Sequence, residues 1–288
     1  MIFPMVKAVS LSQVTFKYRN SDSLAIKNVS LDIDEGDFVL LVGYSGSGKS
    51  TLLKTINGLI PHFHAGSFGG DILIFDENVS ESNTAQLAKK VGFVFQNPEN
   101  QISALTVERE VAFPLENFGY PREEIITRVD ELIKFMGLEE IRFKSPFSIS
   151  GGEQQLTAIA AALALDPPIL ILDEVTAHLS PKSAQKILTK LSQLNKDYNK
   201  TIIISEHRLD RCIHFVSKMV YLEQGILKAS GSVDEVLKNK SYPKNLLPAI
   251  PKIHFQFQDL VDGSKKKDTT PLTIEDFISS IKNMRGDS

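Results

Sequence analysis

The residues best suited to chemistry form one continuous run, Gly43-Tyr44-Ser45-Gly46-Ser47-Gly48-Lys49-Ser50-Thr51. It matches the pattern G-x-x-x-x-G-K-[ST] in full. A triphosphate needs several donors at close range. Successive backbone N–H groups supply them without side-chain bulk, and Gly46 and Gly48 permit the backbone angles and the close approach. A helix opening near Gly48 would add the positive end of its dipole. Lys49 can then reach the β- and γ-phosphates, and the Ser50 hydroxyl can bind Mg²⁺.

A second group of acids stands at the end of an apolar strand, Ile169-Leu170-Ile171-Leu172-Asp173-Glu174. Such a strand delivers its last residues to the carboxyl edge of a sheet, where ligands sit in open α/β folds. Asp173 is expected to hold Mg²⁺, directly or through water. Glu174 is expected to orient an attacking water or accept its proton.

These residues need a scaffold, and the apolar spacing supplies one. Alternation marks strands at 10–18 and 28–33, and continuous apolar runs mark buried strands at 38–42, 72–75, 91–95, 169–172 and 201–204. A helix is predicted over 48–57, closed by Gly58. Between Asn97 and Asp166 the pattern turns helical (107–118, 123–136 and 153–165), as for a helical subdomain inserted into a mixed sheet. An amphipathic helix is expected after Pro181, then two strands near 218–222 and 226–229 joined through Gly225. Past Ser241 the composition shifts. Pro243, Pro248 and Pro251 are expected to break helices, Lys265 to Asp268 reads as a charged loop, and Thr273 to Met284 as a closing helix with Ile274, Phe277, Ile278 and Ile281 on one face. That appendix is expected to pack on the core or on a sister subunit.

Three further segments narrow the reading. Ile149-Ser150-Gly151-Gly152-Glu153-Gln154 resembles the LSGGQ signature of ABC ATPases. Its serine hydroxyl and glycine N–H groups make a second phosphate site, which in that family faces the γ-phosphate bound by the opposite subunit. Gln96 resembles the family's Q-loop glutamine, a residue that touches Mg²⁺ or the water. His207 resembles the switch histidine that contacts the γ-phosphate, and Tyr18 stands where an aromatic residue stacks on adenine. The runs Phe95 to Gln101, Thr106 to Phe113 and Ser205 to Leu209 are similar to ATPase subunits of energy-coupling-factor (ECF) and cobalt-type importers.

The resemblance implies an α/β P-loop NTPase of ABC type: a mixed central sheet, an antiparallel β subdomain, an inserted helical subdomain and a small C-terminal appendix. Residues 1–240 would form the cassette, with the helical subdomain at about 97–166. Residues 241–288 would form the appendix, a possible dimerisation region. The implied ligands are ATP and Mg²⁺. The implied partners are a second ABC ATPase subunit, a transmembrane scaffold and a substrate-binding membrane subunit, at the cytoplasmic face of the cell membrane. The chain departs from the family pattern at Val175 (usually Pro), Ser180 (usually Asp), Glu153 (usually Gln) and Leu156 (often Arg).

Composition agrees with this and excludes little. The 288 residues carry a net charge of −3, so no basic surplus points to nucleic acid. One cysteine, Cys212, allows no internal disulfide, and no run approaches the length of a membrane span. The first six residues do not read as a secretory signal. Two alternatives stand beside the importer reading. A non-transport ABC ATPase of repair or translation would need an inserted coiled coil or a second cassette. A regulator that binds ATP without turnover would not need Glu174 and His207.

Overall fold

The computed structural model describes residues 6–260 and 269–285. The first five residues and the expected loop at 265–268 lie outside the described residues.

The chain opens with strands β1 (Lys7–Tyr18), β2 (Ile26–Asp34) and β3 (Phe38–Val42), then helices α1 (Lys49–Ile56) and α2 (Leu59–His62). Strands β4 (Gly66–Ile74) and β5 (Glu77–Asn78), helix α3 (Thr84–Ala88) and strand β6 (Val91–Val94) follow. Three helices come next: α4 (Val107–Asn117), α5 (Arg122–Met136) and α6 (Gly151–Ala162). The chain then returns through β7 (Ile169–Asp173), α7 (Pro181–Tyr198), β8 (Thr201–Ser205), β9 (Lys218–Glu223) and β10 (Ile226–Gly231). It closes with α8 (Val233–Lys238), α9 (Ala249–Leu260) and α10 (Ile274–Arg285).

Two sheets result. β2-β1-β4-β5 is antiparallel throughout. The larger sheet runs β10-β9-β3-β8-β7-β6, parallel except for the β9–β10 hairpin that turns at Gly225. Strands β3, β7 and β8 are buried at every residue, which is why they read as unbroken apolar runs instead of alternating ones. The sheet separates two cores. Phe38, Leu40 and Val42 of β3 pack on the side of α4–α7, and Val39 and Leu41 pack on the side of α1 and the antiparallel sheet.

The helices stop and start where local chemistry tells them to. Thr106 caps α4 by accepting from the Arg109 N–H, with Glu108 and Glu110 in the first turn. Gly137 closes α5 at φ +68. Ser150 and Glu153 make a reciprocal capping box at α6. Pro181 opens α7 from the first position, where no intrahelical N–H is lost.

Three expectations change. The helix placed over 153–165 starts at Gly151 and ends at Ala162. Pro251 does not break a helix: it sits in the first turn of α9, where its missing N–H costs nothing. The face drawn on the last helix is only partly covered. Phe277 meets His254 and Phe257 of α9, but Ile274 and Ile278 are exposed. Among the described residues no helix is long and apolar enough to cross a membrane.

Candidate functional site

The phosphate loop leaves β3 and enters α1 as its sequence requires. Gly46 takes φ +75 with open space around it. Gly48 takes φ +104, and a Cβ there would stand 2.6 Å from the Ala25 carbonyl oxygen. No side chain caps α1, and no acid sits in its first turn. Its first N–H groups are therefore open to an anion. The Ser47 hydroxyl is buried without a hydrogen-bond partner among the described residues, a donor with nothing yet to bind. An uncapped helix start, an orphaned hydroxyl and a buried lysine together fit a polyphosphate.

Lys49 is 4% exposed. Its ammonium donates to the carbonyls of Gly43 (3.0 Å) and Tyr44 (3.2 Å). Glu174 Oε1 stands 3.7 Å away. Burial lowers the Lys49 pKa, and the charges of Glu174 and Asp173 partly restore it.

Glu174 is where the predicted residues meet. Its carboxylate receives the Gln96 amide at 3.1 Å and lies 2.7 Å from His207 Nε2. Three residues from three separate segments, Lys49, Gln96 and His207, thus converge on one carboxylate. The Glu174 backbone is left-handed, φ +52, a conformation an L-residue keeps only when its surroundings hold it. Ser205 does the holding: its carbonyl and hydroxyl both accept from the Glu174 N–H, at 3.1 and 3.0 Å. The same hydroxyl donates to Asp173 Oδ1 at 2.6 Å. Ser205 was not read as a site residue. The signal was available, since it ends an apolar strand that must lie beside β7.

The other predicted residues lie around this centre. Ser50 follows Lys49 as the second residue of α1. The Tyr18 hydroxyl meets Thr51 Oγ1 at 3.2 Å, and its ring packs edge-on to His64. Tyr44, Ser45 and Gly46 are exposed at the mouth of the loop. Asp173 is 7% exposed. Among the described residues no cluster of three or more His, Cys, Asp or Glu could hold a metal alone. A divalent cation here would draw its protein ligands from Ser50, Gln96 and Asp173 and the rest from phosphate and water, the habit of Mg²⁺.

The signature segment lines a cleft of about 390 Å³ that reaches Gln96 of the carboxylate centre. It brings Gly151 opposite Gln96, Asn97, Val175 and His178. Glu153 Oε2 accepts both the Ser150 N–H (2.8 Å) and the Ser150 hydroxyl (2.7 Å). These bonds hold the Glu153 carboxyl below its usual range. Gly152 packs on α7, where a Cβ would stand 2.9 Å from Ser183 Cβ. Ser180 caps α7 by accepting from the Ser183 N–H. Ser150 bonds to Glu153 of its own helix cap, whereas Lys49 bonds to the carbonyls of its own loop and pairs with Glu174.

A second pair was also missed. Glu206 is buried and accepts the Thr176 N–H (3.0 Å) and hydroxyl (2.5 Å). Burial raises its pKa, against the hydrogen bonds from Thr176 and His207. The bond links the switch segment to the stretch that follows Glu174.

Known proteins resemble this chain closely. Residues 26–177 match the family described as ABC transporter. An ABC transporter ATP-binding protein of Pyrococcus horikoshii is 36% identical over 256 residues, which cover 88% of this chain and 90% of the relative. A like-named protein of Methanosarcina acetivorans is 41% identical over 80% of this chain, which spans only 37% of that relative's length. Among solved structures, CbiO1 of Clostridium perfringens, described as part of the ABC transporter complex cbiONQ, has TM-score 0.74 and 29% identity, covering 88% of this chain and 99% of its own. The cassette MJ0796, solved as a dimer bound to ADP and Pi, has TM-score 0.68 and 35% identity over 78% of this chain and 98% of its own. By these matches, and by the phosphate loop and the carboxylate centre beside it, the chain belongs to the ABC transporter family, as one of its ATPase cassettes.

Proposed function

We propose that this cassette hydrolyses ATP with Mg²⁺ to drive an ECF-type importer of a vitamin or a transition-metal ion. The observation that carries the catalytic part is the convergence of Lys49, Gln96 and His207 on Glu174. Before substrate enters, Glu174 is held by these neighbours and Lys49 is held by its loop carbonyls. A triphosphate in the loop offers Lys49 a better partner than two neutral carbonyls. Lys49 then turns to the β- and γ-phosphates and leaves Glu174 less constrained. Glu174 orients the attacking water and takes its proton, and Gln96 and His207 place the water and the γ-phosphate. Ser50, Gln96 and Asp173 would hold Mg²⁺, which would supply charge neutralisation. Tyr18 stacks on the adenine.

Ser150, Gly151, Gly152 and Glu153 act on the nucleotide of a second cassette, in a head-to-tail pair whose partner is a copy or a cousin. Of the four residues altered from the family pattern, Glu153 and Ser180 are presented to that partner, whereas Leu156 and Val175 are buried in this chain. We infer a heterodimer with a cousin and unequal sites, with slower hydrolysis where this chain supplies the signature; a pair of copies would have two equal sites. Turnover measured after Lys49→Ala here and after the matching change in the partner tests this; equal losses refute it.

The ECF assignment rests on the runs 95–101, 106–113 and 205–209 and on likeness to CbiO1. It places the chain at the cytoplasmic face of the membrane with a transmembrane scaffold and a substrate-binding subunit. Residues 1–240 serve as the motor and 241–288 as an appendix that serves dimerisation. Copurification of the membrane partners, with identification of the bound small molecule, tests the importer reading. A purified chain that binds no adenine nucleotide at millimolar concentration with Mg²⁺ refutes the whole scheme.

A further inference from the structure

The second residue of the phosphate loop is a tyrosine, and its side chain leaves the loop altogether. The Tyr44 hydroxyl donates to Asn245 Oδ1 at 2.8 Å, across 201 residues of sequence. Asn245 lies in a single turn, Lys244–Leu246, between the cassette and α9.

That turn is itself anchored. Tyr242 is buried and packs edge-on to Tyr221 of β9 with ring centres 5.3 Å apart. Tyr221 pairs in register with Val42, the residue before Gly43. The Tyr242 hydroxyl donates to the Leu246 carbonyl at 3.1 Å, which stiffens the turn from within. Four residues after Asn245, the Ala249 N–H donates to Asp210 Oδ1 at 2.7 Å. Asp210 is three residues beyond His207. The segment 242–249 is therefore fastened to β9, to the phosphate loop and to the switch segment at once.

We propose that Asn245 is a positioning residue for the phosphate loop, acting through Tyr44. This rests on reading 43–51 as the triphosphate cradle. Tyr44 is the point of leverage because its carbonyl is one of the two that hold the Lys49 ammonium. Fixing the Tyr44 side chain fixes the backbone that presents both this carbonyl and the neighbouring N–H groups. A loop already ordered loses less freedom when it closes on phosphate, so the tether raises affinity by pre-organisation and not by touching the nucleotide.

The test is a double-mutant cycle on the full chain, with methylanthraniloyl-ATP and Mg²⁺ as the probe. Tyr44→Phe and Asn245→Ala each remove the bond with little change in shape, and each should weaken binding by about three- to tenfold, the range of one net hydrogen bond. The double variant should be no weaker than the worse single. With the partner subunits present, KM for ATP should rise while kcat holds. Lys252→Ala, an exposed change on α9, should leave affinity unaltered. Fold-changes that multiply in the double variant, singles within about twofold of the native chain, or an equal loss from Lys252→Ala would overturn the proposal. A native chain that fails to bind the probe would overturn the cradle reading itself, and this inference with it.

Discussion

Ser205→Ala isolates the residue that holds the two acids in place. Its hydroxyl is fully buried and serves both neighbours, donating to Asp173 at 2.6 Å and accepting from the Glu174 N–H at 3.0 Å. Alanine removes both bonds but leaves the backbone free to follow its old course. The Glu174 N–H keeps a partner in the Ser205 carbonyl at 3.1 Å, so that half of the loss is small. The Asp173 oxygen bears most of it, because a buried acceptor with charge is stranded; such bonds contribute about 1.5–3 kcal/mol. The expected loss is about 2 kcal/mol of stability, read as a lower urea midpoint at unchanged slope. A second readout follows from the freed carboxyl. Removing the partner that orients a metal ligand typically weakens the metal about 10- to 100-fold. The Mg²⁺ concentration that half-saturates ATP binding should rise accordingly. A midpoint within error of the native chain, together with an unchanged Mg²⁺ requirement, would show that Ser205 does not position Asp173.

Glu174→Gln keeps the size of the side chain and removes its basicity, so ATP binding should persist while turnover with the partner subunits falls about 10²- to 10⁴-fold; undiminished turnover removes Glu174 from the role. Gly48→Ala sets a Cβ 2.6 Å from the Ala25 carbonyl at φ +104, and should cost at least about 1–3 kcal/mol in thermal or urea melts and lose nucleotide binding; a native-like melt refutes the strain argument. For Glu206 the folded pKa lies above the unfolded one, so the folded chain binds the extra proton and stability declines as pH rises through that interval. Glu206→Gln should flatten this slope between about pH 4.5 and the raised folded pKa. A native-minus-variant difference that stays constant with pH would contradict it.

Contiguous features were legible from sequence. The phosphate loop is a local device: its glycines, its lysine and the helix it opens are neighbours in the chain. The three fully buried strands of the parallel sheet were legible because burial on both faces leaves no polar position. The helices of the inserted region were legible by their apolar period, but the Ser150 cap was not used, so the third was set two residues late at its start. Short elements escaped, since α2, α3 and β5 carry too few residues to show a period. Pro251 misled because its effect depends on its position in the helix, which sequence alone leaves open. The convergence of Gln96 and His207 on Glu174 was reachable only through resemblance to a family. The pairs Ser205–Asp173, Glu206–Thr176 and Tyr44–Asn245 were not read at all, because each joins segments that only the sheet topology makes adjacent.

The larger sheet sorts substitutions by parity. In β3 the residues 38, 40 and 42 answer to the helical layer, and 39 and 41 to the layer beneath the antiparallel sheet. In β7 and β8 the division recurs, with Leu170, Leu172, Ile202 and Ile204 on one side and Ile169, Ile171 and Ile203 on the other. Two truncations one residue apart would therefore loosen opposite halves of the molecule. Amide exchange would register the first as early opening of the inserted helices and the second as early opening around α1, although the two lesions share a peptide bond.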